Sequence, residues 1–370
     1  MHGSIKARRQ LLSRKRRFII MIVLSVMLVA ALITLPIIIF GRGNSFDKVK
    51  LTSMQPSSPY ASDASSFFFA RDSVLHCIDS QNRERWSVGL FSEKVWLAVS
   101  RNAVAAYDET AIHVYDREGA ALFECTFQQA VCHVACSKNR IAVLLEDEEG
   151  VFSIFVTDLS GQTVDTITDV PGRYVMDIGF FGEDSLYALA LDTSGASPIS
   201  CISTYKPGQA VTGVITSEGQ LIEKLILTND GIYAIGTSHM IEYAHTGEEI
   251  SNLLIYGWQF QSYNMADGAP VAALAPRSQL EEETRISTMR IVALPDYDMP
   301  VFLPPGCLAI VAGKDKFFCF TKNTAYAYNN DGILLKSYEL PIEVDNAYPA
   351  MDGTAVVLIH GEECHISPLP

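Results

Sequence analysis

Beyond residue 60 the chain alternates between short apolar runs and short polar breaks. The runs are rich in Val, Ile, Phe and Tyr, and the breaks are rich in Gly, Asn, Asp and Ser. β-Branched and aromatic residues bounded by turn-forming residues are typical of strands. No long stretch has the 3.6-residue apolar period of an amphipathic helix. The pattern therefore predicts an all-β body.

The strands form a repeat whose unit is a hairpin. An apolar strand is followed by a polar break and by a second strand that ends in a polar or acidic residue. Eight copies begin near Phe67, Val104, Ile141, Leu186, Ile232, Val271, Phe317 and Ala355. Their mean spacing is about 41 residues, and about 40 to 45 residues is typical of a four-stranded propeller blade. We therefore predict a β-propeller.

The length of the chain favours eight blades over seven, because eight blades of about 41 residues account for nearly all of residues 43–370. The last hairpin ends near Pro368 and leaves no room for a fourth strand. The stretch 49–54, ahead of the first blade, can supply that strand and so close the ring without free sheet edges. Seven blades, with one hairpin as an insertion, is the alternative.

The turn after the second strand is the most regular part of the repeat. It occurs as DREG at 116–119, DLSG at 158–161, KPGQ at 206–209, HTGE at 245–248 and NDG at 330–332. Asp and Asn open such turns by accepting hydrogen bonds from their own backbone, and Gly takes the left-handed position. We therefore interpret these residues as turn-forming rather than catalytic.

A membrane segment precedes the repeat. Residues 18–40 contain no charge and are long enough to cross the roughly 30 Å hydrocarbon core as a helix. Basic residues crowd the segment 1–17, so the positive-inside rule places the N-terminus in the cytoplasm. We predict a signal anchor at the cell membrane: a basic cytoplasmic tail (1–17), one transmembrane helix (18–40), a linker with the possible ring-closing strand (41–60) and a propeller outside (61–370).

A cleaved signal peptide is the alternative to this anchor, with Val29 and Ala31 as its small-residue site. Cleavage there would leave the apolar segment 32–40 exposed at the new N-terminus, which favours the uncleaved helix.

Composition and charge narrow the function. Hydrophobic residues make up 48% of the chain and charged residues 19%, which excludes a disordered protein. All 42 Asp and Glu lie after residue 42, whereas eight of the 28 Lys and Arg lie within residues 1–42. So acidic a body would repel a phosphate backbone, and we expect no nucleic-acid partner.

Three segments carry a family resemblance: CIDSQNRERWSV at 77–88, YDREGAALFEC at 115–125 and YAHTGEEISNL at 243–253. They resemble the quinoprotein-type (PQQ-type) propeller repeat, in which an apolar strand leads to Asp, a Thr-Gly or similar turn, and a strand that often carries Trp. Here only Trp86 stands at that position. The resemblance covers almost all of residues 60–370 and implies the architecture alone.

Membrane-anchored bacterial propellers of uncharacterised function have this layout, and outer-membrane assembly lipoproteins of the BamB type share the blade pattern. This chain has a helical anchor where a lipidated Cys would stand, which argues against an outer-membrane assembly role. Quinone-dependent dehydrogenases with such blades carry adjacent cysteines against the quinone, and no two cysteines are adjacent here. We therefore expect no cofactor.

Catalytic and metal motifs are absent from the sequence. Most of the eight cysteines lie in apolar strand runs, where Cys behaves as a small hydrophobe. In a strand, Cys132 and Cys136 would face away from His133, so this group is a poor metal site. There is no H-E-x-x-H, G-x-S-x-G or P-loop. The acidic runs 146–149 and 281–283 are typical of solvated loops.

Propellers bind partners at the connections between blades and around the mouth of the central channel. Trp, Tyr and Arg in these places are the residue types most enriched in binding hot spots. The predicted partner-binding residues are Arg173, Tyr174, Trp258, Gln261, Trp96 and Tyr348. For Trp96, Tyr263 and Tyr348, packing between blades at the start of an inner strand is the alternative.

The favoured hypothesis is a non-enzymatic, single-pass membrane protein that displays its propeller as a scaffold or recognition module for an envelope protein or polymer. A second hypothesis is a surface hydrolase or lyase for glycans, with Asp177 paired to Asp345 or Asp352 as catalytic acids. A third is a sensor for a small ligand in a deep channel.

Overall fold

The computed structural model describes residues 46, 48–182, 184–281 and 285–370. The predicted basic tail (1–17) and transmembrane helix (18–40) lie outside these residues. Among the residues that are described, no helix is both long enough and apolar enough to cross a membrane.

The described residues form eight four-stranded antiparallel sheets, which we number as blades one to eight along the chain. The strands of the first four blades are β2 (Tyr60–Ser62), β3 (Ser66–Arg71), β4 (Val74–Asp79) and β5 (Glu84–Gly89); β6 (Trp96–Val99), β7 (Val104–Tyr107), β8 (Ala111–Tyr115) and β9 (Ala121–Thr126); β10 (Ala130–Cys136), β11 (Arg140–Glu146), β12 (Phe152–Asp158) and β13 (Thr163–Ile167); and β14 (Tyr174–Phe181), β15 (Ser185–Asp192), β16 (Ile199–Lys206) and β17 (Ala210–Glu218).

Blades five to eight continue the pattern, and blade eight takes its outermost strand from the start of the propeller. Their strands are β18 (Ile222–Leu227), β19 (Ile232–Gly236), β20 (His239–Tyr243) and β21 (Glu249–Leu254); β22 (Trp258–Ala266), β23 (Ala269–Pro276), β24 (Ile286–Ala293) and β25 (Tyr297–Cys307); β26 (Ala309–Ala312), β27 (Lys316–Phe320), β28 (Thr324–Asn329) and β29 (Leu334–Glu339); and β30 (Asn346–Ala350), β31 (Ala355–His360), β32 (Glu363–Pro368) and β1 (Lys50–Leu51). A five-residue helix, α1 (Arg277–Glu281), lies between β23 and β24, and a 3-10 turn (Met351–Gly353) follows β30.

Each predicted hairpin occupies the second and third strands of one blade, so the eightfold repeat is confirmed and the seven-bladed alternative is wrong. The first strand of each blade is the innermost, and consecutive first strands contact each other at β2 and β6, β6 and β10, β10 and β14, β22 and β26, and β26 and β30. These strands therefore line the central channel. We call the end of the channel at which they begin the entry mouth.

The core is divided into eight apolar clusters, one between each pair of neighbouring blades. Strand β3 shows the reason, because Phe67 and Phe69 pack against blade eight whereas Phe68 packs against blade two. Successive side chains of a strand point to opposite faces of the sheet, and here both faces are covered. This explains why the middle strands are continuous apolar runs.

The ring closes through β1, which lies within the stretch where the sequence predicts a closing strand. Lys50 and Leu51 pair with Ile366 and His365 of β32. The backbone N–H of Thr52 extends this ladder by donating to the carbonyl of Cys364 at 2.9 Å. Both ends of the described propeller therefore meet in one blade.

Phe46 reinforces this closure from a segment that the sequence marks only as linker. Its side chain is 1% exposed. The ring meets Phe318, Phe320 and Tyr338 edge-on, with centroid distances of 6.4, 5.9 and 5.7 Å. One aromatic residue ahead of β1 thus completes the apolar cluster between blades seven and eight.

The turns between third and fourth strands have the predicted chemistry. The carboxylate of Asp116 accepts hydrogen bonds from the backbone N–H groups of Glu118 and Ala120, at 2.9 and 2.8 Å. Gly119 follows with a φ of +87°, a conformation in which a side chain is strained. The aspartates are therefore occupied in holding the turns.

The corresponding turn of blade seven corrects the prediction by one residue. Asn329, rather than Asn330, opens it by accepting from the N–H groups of Asp331 and Ile333. Asn330 instead exchanges two side-chain hydrogen bonds with Asn264 of blade six, at 2.9 and 3.1 Å. This contact between blades is invisible to a pattern that repeats within each blade.

Phe46→Ala should lower the free energy of unfolding by about 3 to 5 kcal/mol, because a fully buried phenyl ring is removed and a cavity is left. Urea denaturation of the full chain would measure this. Leu51→Ala is the matched control, since Leu51 is 55% exposed in the same closing segment, and it should change stability by less than about 0.5 kcal/mol. Equal losses in both variants would contradict the assigned role of Phe46.

Candidate functional site at the channel wall

Four of the six predicted partner-binding residues are exposed where innermost strands begin. Tyr174 and Trp96 are the first residues of β14 and β6, and their side chains are 52% and 49% exposed. Arg173 precedes Tyr174 and is exposed as well. Tyr348, in β30, is 38% exposed. These four residues are placed where a partner at the entry mouth can reach them.

Trp258 is engaged inside the fold. Its ring lies under the guanidinium of Arg290, at 5.8 Å from the ring centroid. Arg290 in turn makes a two-point contact with the carboxylate of Asp298, at 2.6 and 2.7 Å, and donates to the carbonyl of Leu254. The Arg290 hydrogen bond lowers the pKa of Asp298. Trp258 therefore has a structural contact that the sequence does not reveal.

Gln261 is likewise occupied. It lies at an irregularity in the pairing of β22 with β23, between Phe260 and Ser262. Its side-chain amide donates to the backbone carbonyls of Phe260 and Gln259, at 3.0 and 3.4 Å. Such bulges leave backbone groups without ladder partners, and Gln261 satisfies two of them.

The structure brings a different set of side chains together along the channel wall of blades two, three and four. From Trp96 the set runs to Tyr107 (ring centroids 5.8 Å apart), then to His133 (6.4 Å, edge-on). His133 Nε2 lies 3.6 Å from Asp177 Oδ1, and the Tyr187 hydroxyl donates to Asp177 Oδ2 at 3.0 Å. We call these five residues the wall cluster.

The Tyr187 side chain reaches Asp177 by passing over Gly179, which has no side chain to block it. Gly179 is paired with Tyr187 in the ladder between β14 and β15. A Cβ atom at Gly179 would lie 2.5 Å from Tyr187 Cε1 and 2.6 Å from its hydroxyl oxygen. Glycine is thus required here to let the phenol pass over the innermost strand.

Burial sets the electrostatics of the wall cluster. Burial raises the pKa of Tyr107 to about 12. Burial, followed by the nearby Asp177 charge, raises the pKa of Tyr187 as well. Both phenols therefore stay protonated, and the Tyr187 hydroxyl donates to Asp177. Burial also lowers the pKa of His133, and the Asp177 carboxylate only partly opposes this. The imidazole is thus neutral at neutral pH.

A second group lies along the wall of blades one, six and eight. Burial, and then the charge of Asp63, raises the pKa of Asp352. Burial and then Asp352 raise the pKa of Tyr263. Asp63 itself forms an ion pair with Arg117 at 2.7 Å. Its negative charge is therefore balanced within the fold.

The acids of the glycan hypothesis lie in two different blades. Asp177 lies in blade four, whereas Asp345 and Asp352 belong to blade eight, on the opposite side of an eight-membered ring. The backbone N–H of Gly361 donates to Asp345 at 2.8 Å, and Asp177 contacts Tyr187 and His133. Asp177 and Asp345 therefore have separate partners.

Cysteine and acidic motifs have structural roles or lie in loops. All eight cysteines are free thiols, and Cys77, Cys201, Cys307, Cys319 and Cys364 are buried. Across the described ranges no group of three or more His, Cys, Asp or Glu is placed to hold a metal ion. In the acidic run 146–149, Asp147 accepts from the backbone of Glu149 and Val151 in a hairpin turn. The run 281–283 falls only partly within the described residues.

Sequence reasoning missed Tyr107, His133 and Tyr187 as members of one site. The signal for Tyr187 was Gly179 on the preceding strand rather than the phenol itself, because Phe68, Tyr233 and Phe318 stand at the same hairpin position in other blades. A large phenol at that position, with Gly179 on the preceding strand, predicts a side chain that crosses toward the channel. The contact of Tyr107 with His133 joins different blades and leaves no such signal.

No protein-family model and no curated protein matches this chain. Three solved structures are similar: the Dos1 propeller (TM-score 0.61, 12% identity, covering 88% of this chain and 96% of that one), the C-terminal WD40 domain of Sif2 (0.59, 13%, 87% and 98%) and BamB from Moraxella catarrhalis (0.51, 12%, 87% and 100%). The chain has a β-propeller fold. At such identities the likeness extends to the fold alone, and the quinoprotein-type repeat stays a prediction.

Gly179→Ala should destabilise the protein by about 1 to 3 kcal/mol, because the new methyl group displaces Tyr187 and breaks its hydrogen bond to a charged group. Gly89→Ala is the matched control, since a Cβ there meets no atom within 4 Å. Thermal unfolding of both variants would measure the difference. A Gly179→Ala protein as stable as the Gly89→Ala protein would show that the close approach is not needed.

Proposed function

We propose that this chain is a non-enzymatic binding module, anchored by one helix in the cell membrane, whose propeller presents its entry mouth to an envelope protein outside the cytoplasm. The runner-up partner is an envelope polymer. Propellers serve many functions, so the proposal depends on the site rather than on the fold.

The exposed aromatic side chains of the innermost strands carry this proposal. Trp96, Tyr174, Tyr348 and Tyr60 belong to blades two, four, eight and one, and each is more than a third exposed. Large apolar side chains grouped at one opening mark interaction sites. Trp and Tyr also combine a large contact area with a hydrogen-bonding group, which suits the centre of a protein interface.

The membrane anchor is supported by the sequence. Residues 18–40 are uncharged and the segment before them is rich in Lys and Arg, a combination that retains the N-terminus in the cytoplasm.

A hydrolytic role is less well supported. Glycoside hydrolysis needs two carboxyl groups about 5 to 10 Å apart across the scissile bond. The carboxylate of the wall cluster is flanked by a phenol and a neutral imidazole instead. These groups suit recognition of a ligand through hydrogen bonds and aromatic contact.

Photo-crosslinking in the cells that produce the protein tests the binding face. A benzoylphenylalanine residue at Trp96 or Tyr174 should form a covalent adduct of discrete mass with one envelope protein. The matched control places the same residue at Leu335, which is 55% exposed on the outermost strand of blade seven, and it should give no such adduct. Adducts at Leu335 alone, or none at any position, would refute the proposed face.

Reporter fusions test the predicted orientation. Alkaline phosphatase fused after Pro370 should be active, because it folds only outside the cytoplasm, whereas β-galactosidase at the same place should be inactive. Removing residues 18–40 should reverse both results and release the propeller from the membrane fraction. Active β-galactosidase in the intact chain would contradict the orientation.

A further inference from the structure

We propose that the wall cluster receives a lysine or arginine side chain of the partner protein, with the Asp177 carboxylate as its counter-ion. This inference rests on the proposed function and adds the chemistry of the ligand. Its centre is Asp177, the fourth residue of β14, whose side chain is 35% exposed.

Asp177 lacks the charge partner that comparable carboxylates have. Its side chain is 35% exposed, the same fraction as that of Asp298. Asp298 is held by the guanidinium of Arg290 at 2.6 Å, and the more buried Asp63 by Arg117 at 2.7 Å. Within the described part of the chain no Lys or Arg forms an ion pair with Asp177. Part-buried charges are usually paired, so this position is prepared for a cation from outside.

The groups that touch Asp177 leave its charge uncompensated. Tyr187 donates one neutral hydrogen bond to Oδ2. His133 Nε2 lies at 3.6 Å from Oδ1, and burial keeps the imidazole in its neutral form. The carboxylate thus keeps spare acceptor capacity, which an ammonium or guanidinium group can fill with a charge-assisted hydrogen bond.

Of the aromatic rings between the entry mouth and His133, Trp96 is 49% exposed, whereas Tyr107 is only 4% exposed and packs between blades two and three. Trp96 and Tyr107 extend the wall cluster from His133 toward the entry mouth. A cation within about 6 Å of such a ring is attracted by its quadrupole, and Trp is the best partner. An exposed Trp ring at the mouth and a carboxylate deeper along the wall match a side chain with a hydrocarbon stem and a positive tip.

The depth of Asp177 selects a long side chain. Tyr174 stands at the beginning of β14 and Asp177 follows three positions later, beyond an irregularity in the ladder after Val175, so the two are up to about 10 Å apart along the strand. A partner backbone resting against Tyr174 can therefore reach the carboxylate only with an extended side chain. Lys and Arg have that length, and they bury their stems while keeping the charge at the tip.

The ligand chemistry can be tested with the full chain in detergent micelles. The ligands are blocked glycine pentapeptides in which the central residue is arginine, lysine, citrulline or norleucine. Ligand-observed NMR titration should give millimolar binding for arginine or lysine, and at least tenfold weaker binding for the uncharged peptides of similar shape. The ratio of arginine to lysine affinity decides which cation is preferred. Equal affinities for arginine and citrulline would overturn the proposal, and this comparison needs no variant.

Asp177→Asn should weaken binding of the arginine and lysine peptides at least tenfold, since the amide keeps the shape and removes the charge. Asp345→Asn is the matched control, because it removes a carboxylate at the start of blade eight without touching the wall cluster, and it should leave the affinity within twofold. If both variants bind equally well, the counter-ion role is wrong.

The crosslinking assay separates this inference from the proposed function. If benzoylphenylalanine at position 96 forms its adduct while the charged peptides bind no better than the uncharged ones, the proposed binding face is supported and the cation proposal is refuted. A missing adduct refutes the face itself. Preference of the wall cluster for an amine-bearing envelope polymer over the peptides would assign the runner-up partner.

Discussion

Every blade of this protein depends on its two neighbours, because each sheet is apolar on both faces. A single blade would expose Phe68 on one side and Phe67 and Phe69 on the other, so it cannot be stable alone. Both apolar faces of every sheet are covered only when the last blade packs against the first. The pairing of β1 with β32 and the packing of Phe46 between blades seven and eight are thus required by the whole ring, although they involve few residues.

The same constraint creates the candidate site. The middle strands are covered on both faces, but the innermost strands border the channel, and large side chains on them stay partly exposed. Packing between blades then fixes distances that no single blade contains, such as the contact of Tyr107 in blade two with His133 in blade three. A rigid wall of this kind holds Asp177 at a set depth below Tyr174, which is the geometry that recognition of a long side chain requires.

Much of the architecture was predictable because the same strand and turn pattern recurs in the sequence of each blade. The eight hairpins follow from a pattern that each blade repeats, and the closing strand within 49–54 follows from the space left after the last hairpin; the structure confirms both. The Asp-Gly turns are confirmed at 116–119 and 158–161, whereas the turn of blade seven begins at Asn329. The candidate site was predictable only in part. Residue type and position in the repeat were enough to predict exposure for four residues: Trp96, Tyr174, Arg173 and Tyr348. They did not predict that Trp258 packs on Arg290 or that the Gln261 side chain hydrogen-bonds to the backbone of its own strand. The quinoprotein-type likeness and the membrane anchor stay predictions.

By itself the sequence determined which residues form strands, where they turn and how many sheets the chain makes, because those features depend on neighbours within about ten positions. Only the tertiary structure decided which side chains meet across blades: Asn330 with Asn264, Phe46 with Phe318, and His133 with Asp177. Such pairs are set by the rotation of one blade against the next, and this rotation depends on the packing of all eight apolar clusters at once rather than on local periodicity.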